Sequence, residues 1–453
     1  MKTKAIILIL TTSFFLSGCE KFLEEKSDKS IAIPTTLHDF QSLLHDWATV
    51  NFGFSAMGEA SSDDIFLTDG DYNSLNYESD KRLYTWQPDY VSRSVSSAGN
   101  EWYKCYTGIY VSNSVLKGIE DNNLTGETAD YIKGQALVFR AARYLDGVQI
   151  WAPVYNKTTA NTDLGMVIRL EPDMNIPSER VSVQATYDQI LKDLTDALPL
   201  LTTTSVAATL PNRSAAYGLL ARTHLIMGNY AEALENAEKA LEVNHQLIDF
   251  NNLNPNVNFP IPVTNFISSE IVFFTRMYAS DLINANRARV SPSLYNLYED
   301  GDLRKTVYFR LVDGSHAFKG THTGSAALLT GISISELYLI VAECSARLDD
   351  LGKAEEALNN LLIKRWDTNQ FIPYSFTDKD LALKTILTER RKELVFRGLR
   401  WSDIKRLNRD GYNITLSRTV NGQTITLPPH DLRYAIAIPE EIIELTEIQQ
   451  NPR

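Results

Sequence analysis

The chain has 453 residues, 44% apolar and 22% charged, a globular composition long enough for one large domain or two to three small ones. Its net charge of −12 at pH 7 is spread out without a Lys or Arg cluster, which excludes nucleic acid and a basic membrane-binding face as partners. Three cysteines and seven scattered histidines show no metal-ligand spacing, and no segment carries a cofactor signature.

Residues 1–4 are basic, and 5–16 form an apolar run that fits the h-region of a secretory signal. As a helix that run covers about 18 Å, too little to cross a hydrocarbon core of about 30 Å. Leu16-Ser17-Gly18-Cys19 follows as a lipobox, so 1–18 is read as a lipoprotein signal peptide and Cys19 as the acylated residue. Several acyl chains on one residue anchor a protein stably where a single chain binds only marginally. Cleavage removes Lys2 and Lys4 and takes the net charge to −14. Residues 19–33 are charged and short of core side chains, which predicts a tether, and 34–453 is expected to form a single domain.

The first helical pattern begins at 39–44. Residues 51–100 are rich in Gly, Ser, Asp and Tyr without sustained periodicity and predict long loops, whereas Trp102, Tyr106, Ile109, Val115, Leu116 and Ile119 restore helical spacing. Helix pairs are predicted at about 131–201, 212–243 and 335–364, the first interrupted by a linker through Pro172 and Pro177. The pattern is clearest at 212–243: Ala215, Leu219, Leu220 and Leu225 share one helix face, Gly228-Asn229-Tyr230 turns, and Ala233, Ala237, Ala240 and Leu241 share the next. Small Ala221 and Ala233 let two helices approach closely, as in a tetratricopeptide (TPR) hairpin. Residues 244–330 are expected to form further loops.

A last long helix is predicted over 378–397, with Thr377 and Asp380 as a capping box and Gly398 at its end. Residues 414–420 and 423–427 flank Asn421-Gly422, a strong hairpin signal read as a surface ornament. Cys105 and Cys344 fall in helical apolar patterns and are expected to be buried free thiols, with a disulfide between them as the alternative. The fold class is therefore mainly α: a TPR-like helical repeat body with long irregular loops and a small C-terminal β-hairpin.

Several of these features together carry a family resemblance. The lipobox, the helical stretch 131–145, the 213–241 hairpin, and Glu389-Arg390-Arg391-Lys392-Glu393-Leu394 running on through Gly398, Arg400-Trp401 and Asp403-Ile404-Lys405-Arg406 resemble the SusD/RagB family of outer-membrane nutrient-binding lipoproteins. Ala437-Ile438-Pro439 and Gln449-Gln450-Asn451-Pro452 are similar to its usual ending. Arg397 departs from the pattern, which has an acid there, so any ion pair made at that position must be rearranged or absent. The resemblance implies a non-catalytic binding protein, lipid-anchored at the outer membrane and sitting as a lid on a SusC-like TonB-dependent transporter. Glu20 and Glu24-Glu25 resemble surface-export signals of such lipoproteins, which implies display on the extracellular side.

The charges of 389–406 lie three and four apart on a helix, a spacing that favours ion pairs over catalysis, with Trp401, Phe396 and Leu394 as the buried anchor. Ligand binding is sought in the loops instead. Nine aromatics between Tyr72 and Tyr110 make up 23% of that stretch against 10% overall. Aromatic faces suit sugar rings, and neighbouring Asp and Asn side chains can bond hydroxyls. Trp102 and Tyr106 share the helical spacing of Ile109 and read as core, leaving Tyr72, Tyr77 and Trp86 as platform candidates. Tyr278 and Tyr295, near Asn284, Asn286, Arg287 and Arg289, form a second candidate surface. Asp63-Asp64 with Asp71 lie in loops, where spacing says nothing about the carboxyl separation that glycoside hydrolysis requires, and Asp300-Gly301-Asp302 lacks the remaining ligands of a calcium loop. The expected ligand is an oligosaccharide, with a peptide as the alternative within the same family; a TPR scaffold for outer-membrane assembly is the reading from another class.

Overall fold

The structure is a computed structural model that describes residues 33–88, 100–264 and 268–453. Cys19, the signal peptide, the tether up to residue 32 and Tyr90 lie outside the described residues.

Ten longer helices build the body. Helix α1 (Leu37–His45) starts with a capping box: the Asp39 amide donates to Thr36 Oγ1 and Thr36 N to Asp39 Oδ2. Helices α2 (Glu101–Asp121), α3 (Glu127–Trp151), α4 (Val183–Ala197), α5 (Arg213–Met227), α6 (Tyr230–Val243), α7 (Ile334–Arg347), α8 (Leu351–Leu362) and α9 (Lys379–Glu393) follow, and α10 (Arg400–Arg409) comes last. From α2 to α8 each packs on the next in chain order, and α9 returns onto α7, so each helix pair stacks on the one before it. At the α5–α6 contact Ala215, Ala221, Ala233, Ala237 and Ala240 are all buried, the close approach their small side chains predict. Gly228 at φ +84° ends α5, its N–H donating to Leu225 O and that of Asn229 to His224 O. Cys105 and Cys344 are buried and unpaired. No described helix is long and apolar enough to cross a membrane.

Three expectations need correction. The helix predicted at 378–397 runs only over Lys379–Glu393, capped by Asp378, whose Oδ1 accepts from Leu381 N at 2.7 Å. Beyond the Leu394 cap the chain turns away, Phe396 taking a left-handed φ of +58° and stacking parallel on Phe318 at 4.8 Å. Residues 51–88 are not open loop. They form helices Met57–Ser61, Asp69–Asn73 and Glu78–Tyr84, with Ala56, Ala60, Ile65 and Leu67 buried. Strand Phe52–Phe54 pairs with Arg276–Met277, and Ile65–Phe66 with Arg289–Val290. These partners lie more than 200 residues away, where no local periodicity registers them.

The hairpin Leu416–Val420 and Gln423–Leu427 turns through Asn421 (φ +49°) and Gly422 (φ +77°), as a type I′ turn requires. It is not an ornament. Leu416, Val420 and Leu427 are buried, and Arg418 reaches through to donate to Ala60 O and Ser62 O at 2.7 Å each and to Tyr84 O. The Arg418 guanidinium lies 3.9 Å from the Tyr84 ring centroid and 4.6 Å from that of Trp86.

The 389–406 signature is an ion-pair lattice. Arg406 binds Glu343 of α7 through both Nη atoms (2.5 and 2.8 Å) and Asp403 through Nε (2.8 Å). Arg365 joins Glu270 and Glu393 at 2.9 Å each, and Arg304 joins Asp302, Glu389 and Glu393. Trp401, Phe396 and Leu394 are buried beside it. Arg397, where an acid was expected, donates to Leu329 O, Gly331 O and Ser333 Oγ, so carbonyls replace an ion pair.

Arg400 ties this region to the loops rather than to the repeat layers. It binds Asp63 in fork fashion, Nε to Oδ1 at 2.7 Å and Nη2 to Oδ2 at 2.9 Å. Arg400→Ala is expected to cost about 2 kcal/mol, because Asp63 keeps Arg391 as partner. A thermal melt with a parallel ligand titration checks this: the midpoint falls while affinity stays intact.

Candidate functional site

The strand pairings above bring the two predicted surfaces, 51–88 and 278–298, into one loop cluster over the repeat layer. The single turn Asp281–Ile283 packs against both Met57–Ser61 and Glu78–Tyr84. Tyr278 is placed by its own N–H, which donates to Phe54 O at 2.7 Å. Its half-buried phenol is raised by burial and then by the charges of Glu101 and Asp80 and by Tyr77. Tyr77, at 46% exposure, is the open ring of the group.

The polar edge of this patch is acidic. Burial and then Asp281 push the Asp80 carboxyl up to about 6, with Arg287 opposing. Arg287 reaches Asp281 at 3.5 Å and Ser74 Oγ at 3.4 Å, which links the second segment to the first. Glu101, in the first turn of α2, accepts from Ser55 Oγ and from the amides of Ala56 and Met57, and burial lifts its carboxyl to about 7. The arrangement offers one exposed ring, one half-buried ring and the partly open Asp80 carboxyl as an acceptor, suited to a flat apolar face edged by hydroxyls.

The other candidates divide. Tyr72 is half-buried, 5.8 Å from Tyr84, with Lys81 over its ring at 6.0 Å, and flanks the patch. Trp86 is not a platform: it is 4% exposed, its indole N–H donates to Ser61 O at 3.0 Å, and its face is covered by Arg418. Tyr295 stacks on His316 at 3.5 Å and belongs with Phe309 rather than with Tyr77. Trp102 is buried against Trp151, and Tyr106 hydrogen-bonds Val167 O at 2.9 Å, in keeping with core roles. Asp63 and Asp64 are occupied by Arg400 and Arg391, Arg400 then Arg391 overcoming the effect of burial to hold Asp63 at about 2. Asp302 is spent on Arg304 and Lys392. Among the described residues no group of His, Cys, Asp and Glu is placed to hold a metal ion.

Asp80 was legible as a polar neighbour of Tyr72 and Tyr77, but Asp281, and the acidic edge that the two form, were not. Both sit beside named tyrosines, but only the fold sets them against each other.

A stacked helical body whose loops present an aromatic patch with an acidic edge is the architecture of a ligand-binding protein. Two family models match the chain: one described as starch-binding associating with outer membrane, over residues 21–225, and the SusD family over residues 303–443. The chain belongs to the SusD/RagB family, as its C-terminal signature implied. A SusD superfamily protein from Bacteroides thetaiotaomicron superposes with a TM-score of 0.73 at 23% identity, covering 92% of this chain and 100% of that one. A SusD-like carbohydrate binding protein from Bacteroides vulgatus gives 0.69 at 20%, covering 91% and 97%. A SusD superfamily protein from Bacteroides fragilis gives 0.72 at 18%, covering 92% and 99%. These likenesses show the mainly helical, TPR-like fold. No curated protein matches the chain.

Proposed function

We propose that the chain is a cell-surface nutrient-binding lipoprotein that captures an oligosaccharide on the Tyr77–Tyr278 patch and hands it to a SusC-like TonB-dependent transporter. The observation that carries the reading is the juxtaposition of exposed Tyr77 and its neighbour Asp80 with Tyr278 and Asp281, which come from a segment about 200 residues distant. The family's carbohydrate-binding and outer-membrane descriptions support glycan as the ligand class and the outer membrane as the address. Lipid on Cys19 would tether the body on the extracellular side, and Tyr72 would extend the contact surface. Tethering raises the effective ligand concentration at the pore, so modest stacking suffices.

Tyr77→Ala and Tyr278→Ala are each expected to weaken glycan binding about tenfold, the worth of one well-stacked ring of about 1.4 kcal/mol. Affinity should also fall as the pH drops through about 6, where the Asp80 carboxylate gains its proton and ceases to accept from a hydroxyl. Titration against a glycan and peptide array reads both effects. A signal confined to peptides would replace the ligand class, and failure of a TonB-dependent transporter to co-purify from native membranes would remove the hand-over step.

A further inference from the structure

We propose that a second pocket, separate from the tyrosine patch, binds a small carboxylate-bearing ligand. It lies where the C-terminal end of α3 meets α10 and the 430–435 and 449–452 segments, and encloses about 430 Å³, within the range of small-molecule sites. Its walls mix apolar Leu432 and Pro153 with polar Asn156, Asp163 and Lys405.

Lys405 is the unusual group. It is 3% exposed, and its ammonium donates to Gln149 O at 2.8 Å and Ala152 O at 2.7 Å, at the end of α3, where the helix dipole favours a cation. An ammonium has three donors, and these contacts use two. Among the described residues no carboxylate offsets the charge: burial acts on it and pulls the amine down to about 7. By contrast, the buried Lys392 lies 2.8 Å from both Asp302 and Glu389. A ligand carboxylate would fill the remaining donor and supply the missing counter-charge.

The remaining acids of the wall narrow the ligand further. Asp431 is committed to Arg433, at 2.8 and 2.7 Å, and takes no part. Half-buried Asp163 accepts from Thr159 Oγ1 through one oxygen, leaving the other as an acceptor. A ligand suited to this wall carries a carboxylate at one end and hydroxyl or amino donors at the other, as do sugar acids and amino acids. The inference stands independently of the glycan reading.

Calorimetric titration of the full chain in detergent with glucuronate, alanine and glucose tests it. Glucuronate or alanine should bind at least tenfold more tightly than glucose, and which of the two binds identifies the source of the carboxylate. At pH 8 binding should take up a proton, seen as heat that depends on the buffer, because the counter-charge raises the Lys405 pKa. Lys405→Met should abolish binding. Leu432→Trp, at a 55% exposed wall position, fills the space without touching the core and should also abolish it. Tyr77→Ala should leave it unchanged. Acids binding no better than glucose, or undiminished binding in Leu432→Trp, would overturn the proposal.

Discussion

Glutamine in place of Glu343 should destabilise the chain by about 3–5 kcal/mol, the usual cost of removing one member of a buried ion pair. Glu343 is fully buried on α7 and serves Arg406 through two bonds and Arg347 through a third at 2.9 Å. The amide keeps the shape but not the charge, so Arg406 is left with Asp403 alone. Burial by itself would raise the Glu343 carboxyl; Arg406 and then Arg347 outweigh it and hold the group at about 2. Its folded pKa is thus below the unfolded value of 4.5, so its stabilisation is present in full above that value and is lost as pH falls toward about 2. Denaturant titrations of both proteins should show a wide gap at pH 7 that narrows at pH 3. A gap of the same size at both values would mean that packing, not charge, holds α10 on α7.

Arg418→Met should cost a comparable amount, again about 3–5 kcal/mol, and should also reduce ligand binding. The three carbonyls of Ala60, Ser62 and Tyr84 lose their shared donor, and the rings of Tyr84 and Trp86 lose the cation between them. Those carbonyls belong to the segment that bears Tyr72, Tyr77 and Asp80, so the hairpin acts as a strut beneath the proposed site. Hydrogen exchange of 57–86 together with a glycan titration separates the outcomes. Faster exchange with weaker binding supports the strut, whereas lost stability with unchanged exchange in 57–86 would confine Arg418 to the hairpin itself.

The contrast between Trp86 and Tyr77 shows why the site was only partly legible. Both are aromatic residues among Asp, Asn and Ser, nine positions apart, and nothing in their neighbourhood ranks one above the other. Arg418, 332 residues after Trp86, buries the tryptophan, while Tyr77 stays open. The arginine lattice was legible in part. The spacing of 389–406 announced ion pairs, but Glu343, Arg304, Arg365 and Glu270, which complete them, come from elsewhere in the chain.

What the amino-acid order determined unaided was whatever depends on near neighbours. The 3.6-residue apolar spacing set the repeat helices, small residues at Ala221 and Ala233 set their close pairing, and Asn421-Gly422 set the hairpin turn. The signature of 389–406 set the family. Tertiary structure alone decided which charges meet, which aromatics face solvent and which distant strands join 51–88 to 271–290. Those outcomes follow from burial and electrostatics between residues hundreds of positions apart, where local periodicity carries no information.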